Sequence, residues 1–219
     1  MMAMWFVNFM AFDFRPRRCG LLPNFLPESC LDHPALTAHF TLVNEKNISR
    51  LNEAVRDVPD FPKPGILFKD ITPILASGEL FRLAIDEFVS AVGGESPTKI
   101  VGIDARGFIF GAALADRLGA GFVPVRKKGK LPWETHGASY TLEYGEAHVE
   151  IHRDAILPGE KVVLIDDLLA TGGTAGAALK LIQQLGGEVV CLTFLIELAF
   201  LEGRKNLDPS VRTVALLTY

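Results

Sequence analysis

The chain has 219 residues, of which 49% are hydrophobic and 22% are charged, and its formal net charge is -4. This length allows one substantial core, and the negative charge excludes the broad cationic surface that nucleic acids or anionic membranes select. No apolar run reaches the ~20 residues needed to cross a bilayer, so we expect neither a nucleic-acid nor a membrane partner. The three cysteines argue against a disulfide framework and favour a reducing cytoplasm.

The first 43 residues differ from the rest of the chain. All four methionines lie within the first ten positions, and residues 16–34 contain four prolines without a helical or strand-like period. Arginines follow the initial apolar stretch, whereas a secretory signal would carry positive charge before it. We therefore predict that residues 1–43 are an extension, either disordered or added by a start codon assigned too far upstream. Residues 44–219 are expected to form the functional domain.

From Asn44 onward, helical and strand-like patterns follow one another. Apolar spacing predicts a short helix behind Asn44 and, after a proline-rich loop, a second helix over residues 77–92. Buried strands are predicted over residues 99–103, 122–126, 161–165, 189–195 and 214–217, with helices over 108–118 and from a Gly-rich turn to Leu185. This alternation predicts an α/β fold with a doubly wound, mainly parallel sheet flanked by helices. Residues 127–152 interrupt it and predict a hairpin or mobile loop.

The most informative segment follows the strand predicted over residues 161–165. Asp166 and Asp167 come first, and a loop of small residues then opens a helix. This phosphate loop consists of Ala170, Thr171, Gly172, Gly173 and Thr174. Glycines let backbone amides approach a ligand, and the start of a helix favours an anion. The two carboxylates would repel a phosphate unless they faced ribose hydroxyls or Mg²⁺.

The segment is neither a P-loop, because it lacks the Gly-Lys-Ser/Thr ending, nor a dinucleotide loop, because it lacks G-x-G-x-x-G. It resembles the phosphoribosyl pyrophosphate signature of type I phosphoribosyltransferases, and its form Asp-Asp-Leu-Leu-Ala-Thr-Gly-Gly-Thr resembles the adenine-specific members. Residues 60–72, 104–108 and 129–145 resemble three further segments of this family and occur in the same order. The resemblance covers residues 44–219.

The resemblance implies a reaction and its participants. The 5-phosphoribosyl group of phosphoribosyl pyrophosphate would pass to adenine, giving AMP and pyrophosphate. Mg²⁺ would be held mainly through the substrate, near Asp166 and Asp167, and the protein would be a homodimer. A small N-terminal hood (residues 60–72) would bind the base, with Leu67 and Phe68 stacking on the purine.

The resemblance also assigns roles around the reacting carbon. It implies that Arg106, Arg126, Lys127 and Lys130 bind the substrate phosphates. It implies that residues 129–145 form a flexible hairpin lid, which would keep water from the reacting carbon. In that lid Glu143 would be the catalytic acid or base, and Tyr144 its aromatic neighbour.

Two alternatives stay open. A phosphoribosyltransferase for xanthine, hypoxanthine–guanine or orotate would share the Asp-Asp loop and differ in the hood and the lid. A regulator that uses the same fold as a ligand sensor would need a DNA-binding module ahead of the domain. Residues 1–43 show no helical period or basic face, and a sensor would have no use for Glu143.

Overall fold

The computed structural model describes residues 44–142 and 145–219. The predicted extension over residues 1–43 and the predicted catalytic pair Glu143 and Tyr144 lie outside the described residues. The helices found in the described part are α1 (Glu45–Ala54), α2 (Thr72–Ala76), α3 (Gly78–Val92), α4 (Arg106–Leu118) and α5 (Gly173–Gln184), with short 3-10 turns at Gly93–Glu95, Ala199–Leu201 and Gly203–Asn206. The strands are β1 (Arg56–Pro59), β2 (Leu67–Asp70), β3 (Lys99–Ile103), β4 (Gly121–Lys127), β5 (Thr135–Leu142), β6 (Gly145–His152), β7 (Lys161–Leu169), β8 (Glu188–Glu197) and β9 (Thr213–Thr218).

Within the described residues a seven-stranded sheet forms the centre of the fold, in the order β5-β6-β4-β3-β7-β8-β9. The five strands from β4 to β9 in this order run parallel, whereas β6 is antiparallel to β4 and β5 is antiparallel to β6. Successive residues of a strand face opposite sides. Val101 and Leu164 therefore join the core with α5, and Ile100 and Val163 join the core with α1, α3 and α4. This arrangement confirms the predicted α/β fold.

Local signals explain where several helices begin and end. The Asn44 side chain accepts a hydrogen bond from the Lys46 N–H at 3.1 Å and caps α1, and Ser77 caps α3 through the Leu80 N–H at 3.3 Å. Helix α4 ends at Gly119, whose φ of 65° is the left-handed conformation that glycine adopts readily. No helix in the described ranges, 44–142 and 145–219, is long and apolar enough to span a bilayer.

Strand β7 is longer than its apolar pattern predicted. The sequence places the end of this strand at Ile165, but pairing with β8 continues through Asp166↔Phe194 to Leu169↔Glu197. The two carboxylates therefore belong to the strand and do not follow it. The prediction failed because apolarity marks which residues are buried, whereas the strand continues as long as its backbone finds partners.

Two hairpins depart from the main sheet. In the described part of the chain, β1 and β2 form a separate two-stranded antiparallel sheet, with Val58 opposite Phe68. The apolar spacing predicted that the first helix continues to Val58 and that a loop follows, but α1 ends at Ala54 and β1 covers Arg56–Pro59. Strands of four residues carry too few positions to reveal a period. Strands β5 and β6 confirm the hairpin predicted within residues 127–152.

Candidate active site

A cleft of about 310 Å³ lies where the carboxyl ends of β3, β4 and β7 meet. Open parallel sheets bind ligands at this edge because the loops that follow the strands converge there. The cleft is lined by Ile103, Asp104, Ala105, Arg106, Val125, Lys127, Tyr140, Val149, Asp166, Asp167, Leu168 and Thr174. A smaller recess of about 70 Å³ shares Asp166, Leu168 and Thr174 with it and is lined by Asp166 and residues 168–175.

The phosphate loop forms the smaller recess. Gly172 adopts a φ of 79°, and α5 begins at the next residue without a side-chain cap. In the described part of the chain, no backbone carbonyl accepts a hydrogen bond from the N–H groups of residues 171–174. Free N–H groups at the start of a helix attract an anion. The recess therefore has the chemistry of a phosphate site.

Two carboxylates lie side by side at the junction of the recess and the cleft. The Asp167 N–H donates to Oδ1 of Asp166 at 2.9 Å, and Arg106 Nε donates to Oδ2 of Asp167 at 2.5 Å. Burial raises the pKa of the Asp166 carboxyl well above its usual range, and the charge of Asp167 adds to the rise. Hydroxyl donors or a cation bound here would stabilise the ionised form of Asp166.

A close backbone approach brings the start of α4 against these carboxylates. A Cβ at Gly107 would lie 2.8 Å from Oδ1 of Asp166 and 2.9 Å from the carbonyl oxygen of Ile165. Only glycine leaves room there, so Arg106 can lie directly beside Asp167. The helix predicted to begin at Phe108 begins at Arg106, which makes Arg106 and Gly107 its first residues.

The other predicted cations lie at the end of β4 and just beyond it. Lys127 lines the cleft. Arg126 Nε donates to Oδ2 of Asp104 at 3.0 Å, and its Nη1 donates to the carbonyl oxygen of Lys130 at 3.2 Å. The Gly129 N–H donates to Glu150 Oε2 at 2.9 Å, which ties this basic turn to β6. Lys127 therefore lies in the cleft, Arg126 lies beside it through Asp104, and the Lys130 backbone is held next to Arg126.

The predicted base-binding residues lie apart from this cluster. Leu67 and Phe68 belong to β2 in the small sheet, and as far as the described residues define it, neither side chain lines the cleft. Leu67 is 51% exposed. Phe68 packs edge-on against Phe61, with ring centroids 5.2 Å apart. Both side chains remain available for a flat ligand, and their role in base binding stays a prediction, as do the roles of Glu143 and Tyr144.

The cleft also contains residues to which sequence reasoning gave no role. Asp104 directly follows β3 and holds Arg126, and its position after a predicted strand could have identified it. Tyr140 reaches the cleft from β5. The predicted lid includes Tyr140, but no pattern singled this residue out, because its position depends on how the hairpin folds back beside β4.

The described residues offer few ligands for a metal ion of their own. Among the described residues, no group of three or more His, Cys, Asp or Glu side chains could hold a metal ion. Asp166 and Asp167 are nevertheless hard oxygen donors of the kind that Mg²⁺ prefers. Burial and, second, the charge of Asp167 raise the pKa of Asp166, and a cation that arrives with an anionic ligand would offset both effects.

Comparison with known proteins agrees with this site. The model of the phosphoribosyl transferase domain matches residues 70–214. An adenine phosphoribosyltransferase of Sinorhizobium medicae is 52% identical over 169 residues, which cover 76% of this chain and 94% of that protein.

Solved structures give the same result. The adenine phosphoribosyltransferase of Rhodothermus marinus superposes with a TM-score of 0.77 at 53% identity, covering 80% of this chain and 100% of that one. The Saccharomyces cerevisiae enzyme, complexed with a dideoxy-imino-altritol bisphosphate and adenine, has a TM-score of 0.76 at 42% identity over the same shares. Fold, cleft and sequence thus converge, and the chain belongs to the adenine phosphoribosyltransferase family.

Proposed function

We propose that this protein transfers the 5-phosphoribosyl group of phosphoribosyl pyrophosphate to adenine, forming AMP and releasing pyrophosphate. One observation carries the proposal: the carboxylate pair lies between an anion recess on one side and a cationic cleft on the other. The donor has the matching order, with a phosphate at one end, ribose hydroxyls in the middle and pyrophosphate at the other end. The family of the chain supplies the identity of the base.

The phosphate loop would hold the 5-phosphate. The N–H groups of residues 171–174 would donate to its oxygens, and the hydroxyls of Thr171 and Thr174 would add to them. The partial positive charge at the start of α5 favours the same group. Ala170, Gly172 and Gly173 contribute backbone alone, so no side chain blocks the anion.

Asp166 and Asp167 would accept hydrogen bonds from the ribose hydroxyls. Each hydroxyl satisfies a carboxylate oxygen that would otherwise be partly buried beside another negative charge. Asp166 and Asp167 would also lie near a Mg²⁺ held mainly by the donor, and this ion would neutralise part of the pyrophosphate charge. The hydrogen bond from Arg106 Nε holds the Asp167 carboxylate in place.

The leaving pyrophosphate would lie among the cations of the cleft. Arg106 and Lys127 line the cavity itself, and Arg126 lies beside it, with the Lys130 backbone held next to Arg126. Charge-assisted hydrogen bonds from these groups stabilise the negative charge that grows on pyrophosphate as its bond to the ribose weakens. These cations would therefore both bind the pyrophosphate and accelerate its release from the ribose.

The base would approach the opposite face of the ribose carbon from the hood. Leu67 and Phe68 would stack on the purine. In the lid, Glu143 would handle a proton of the purine ring, with Tyr144 as its neighbour. The carbon carries cationic character during transfer, so a closed lid would suppress attack by water.

The setting of the enzyme follows from the family and the composition. We propose that it works in the cytoplasm, which suits its three cysteines, and that it acts as a homodimer like its family. Residues 44–219 would form the whole enzymatic domain, and residues 1–43 would be an extension without a catalytic role.

The decisive experiment measures pyrophosphate release from phosphoribosyl pyrophosphate with Mg²⁺ and, in turn, adenine, hypoxanthine, guanine, xanthine and orotate. We expect turnover with adenine and at most slow turnover with the other bases. Fast turnover with a different base would overturn the role of Leu67 and Phe68 and keep the donor site. Tight binding of the donor without turnover of any base would favour the alternative function, a regulator that senses this ligand.

A further inference from the structure

A turn outside the cleft supports the phosphate loop from behind. This brace (Gly203–Asn206) is a short 3-10 turn that follows β8 and packs against residues 170–176. We infer that Asn206 is a positioning residue, which orients the phosphate loop so that its amides face the 5-phosphate. The inference rests on the proposed function, since it concerns the same donor site.

The central contact is a single hydrogen bond. Asn206 Nδ2 donates to the carbonyl oxygen of Thr171 at 2.7 Å, across 35 positions of the chain. This carbonyl belongs to the middle of the phosphate loop and has no helix or strand around it. Its orientation would otherwise depend on the loop alone, because Gly172 follows it and has wide conformational freedom.

Two glycines let the brace and the loop touch backbone to backbone. A Cβ on Gly172 would collide with the carbonyl oxygen of Gly203, and a Cβ on Gly203 would collide with the carbonyl oxygen of Ala170. A third glycine continues the contact, since a Cβ on Gly176 would lie 2.7 Å from the carbonyl oxygen of Asn206. No side chain separates the two segments at these points, so a shift of one must move the other.

The direction of the loop amides follows from this contact. In a trans peptide unit, the carbonyl of one residue and the N–H of the next point in opposite directions, and both peptide bonds concerned here are trans. The carbonyls of Ala170 and Thr171 face the brace. The N–H groups of Thr171 and Gly172 are therefore directed away from the brace and toward the recess that these residues line.

The brace is itself fixed to the central sheet. Arg204 donates to both carboxylate oxygens of Glu197 at 2.7 to 3.0 Å, and its Nη1 donates to the carbonyl oxygen of Thr213 at 3.0 Å. Glu197 is 6% exposed, lies on β8 and pairs with Leu169 on β7, one residue before the phosphate loop. The phosphate loop follows β7 and the brace is bonded to β8, and these two strands are neighbours in the sheet. Both partners of the Asn206 hydrogen bond are therefore held in place by the sheet.

The ligands of the reaction separate this role from a general effect on stability. Phosphoribosyl pyrophosphate, AMP and ribose 5-phosphate carry the 5-phosphate, whereas adenine and pyrophosphate do not. If the loop amides lose their orientation, the binding of ligands with a 5-phosphate should weaken, and the binding of adenine and pyrophosphate should not change. If Asn206 only stabilised the fold, its loss would weaken the binding of both kinds of ligand to a similar extent.

The test uses the full chain with Asn206→Ala and Asn206→Asp, an isosteric change that removes the donor. Lys205→Ala is the matched control, because Lys205 is the adjacent exposed residue and pairs only with exposed Glu202 among the described residues. Calorimetry would measure the Kd of ribose 5-phosphate and of pyrophosphate with Mg²⁺, and steady-state assays would measure both KM values.

We expect Asn206→Ala to raise the Kd of ribose 5-phosphate and the KM of the donor about three- to tenfold, the usual range for one neutral hydrogen bond. Asn206→Asp should raise them further, while the Kd of pyrophosphate, the KM of adenine and the melting temperature stay near those of Lys205→Ala. Unchanged ribose 5-phosphate affinity would overturn the inference, and so would equal losses for both ligands. If wild type forms no AMP but the selective loss persists, the proposed function fails and the brace stands.

Discussion

The two halves of the active site are built in different ways. The proposed donor half, formed by β7, the phosphate loop and the brace, lies in the middle of the sheet and is held by backbone contacts and by the ion pair between buried Glu197 and half-exposed Arg204. The proposed acceptor half comprises the hood and the lid, and among their described residues Leu67 is 51% and Trp133 is 66% exposed. If these proposed roles hold, the difference predicts that the donor site is preorganised, whereas base binding depends on segments with exposed side chains.

The largest expected effect is on the acceptor half. Glu143→Gln should lower kcat about 10²- to 10⁴-fold, the usual contribution of a general acid or base, and leave the Kd of phosphoribosyl pyrophosphate unchanged. Pre-steady-state and equilibrium binding measurements check the two parts, with Glu134→Gln as the control. Comparable losses of turnover and donor binding would show that the halves are not separable in this way.

Next in size is a change in the donor half. Arg106→Gln removes the cation beside Asp167 and one proposed ligand of the pyrophosphate, so kcat/KM for the donor should fall about ten- to hundredfold. The Kd of pyrophosphate should rise by a similar factor. The control is Arg117→Gln on the same helix, whose side chain pairs with Asp86 at the surface. Equal effects of both variants would contradict the assigned role.

A smaller effect concerns stability and pH. The raised pKa of Asp166 means that the folded state holds this proton more tightly than the unfolded state, so ionisation of Asp166 costs stability as pH rises. Asp166→Asn should therefore raise Tm at pH 7, and the gain should vanish below the unfolded value of about 3.9. Its donor KM should rise nevertheless. Thermal melts from pH 3 to 8 check this, with exposed Asp116→Asn as the control.

The smallest expected effect is that of changing Tyr219, which contacts the hood and should affect adenine more than the donor. The Tyr219 hydroxyl donates to Asn52 Oδ1 at 2.6 Å, and Lys69 Nζ lies 3.9 Å from the centre of the Tyr219 ring. Lys69 directly follows Phe68 on β2. Tyr219→Leu should therefore raise the KM of adenine a few-fold, and Tyr219→Phe less, because the ring is kept. A rise in the donor KM instead would place Tyr219 with the other half.

Particular residues show how far sequence reasoning reached. Asp166, Asp167 and the phosphate loop were identified because their chemistry is contiguous in the chain. The end of β7 was misplaced because backbone pairing outlasts the apolar pattern. Tyr140 and the brace were missed for a different reason: each reaches the site through a contact between segments far apart in the chain, which no local pattern records.

By itself, the sequence determined the α/β alternation of the main sheet, the phosphate loop and the position of the carboxylate pair after an apolar strand, because these depend on short-range periodicity and residue chemistry. Only the tertiary structure decided the strand order in space, the approach of Arg106 to Asp167 past Gly107, and the packing of Asn206 behind Thr171. These features depend on close packing between distant segments, where an added methyl group or a single hydrogen bond sets the geometry.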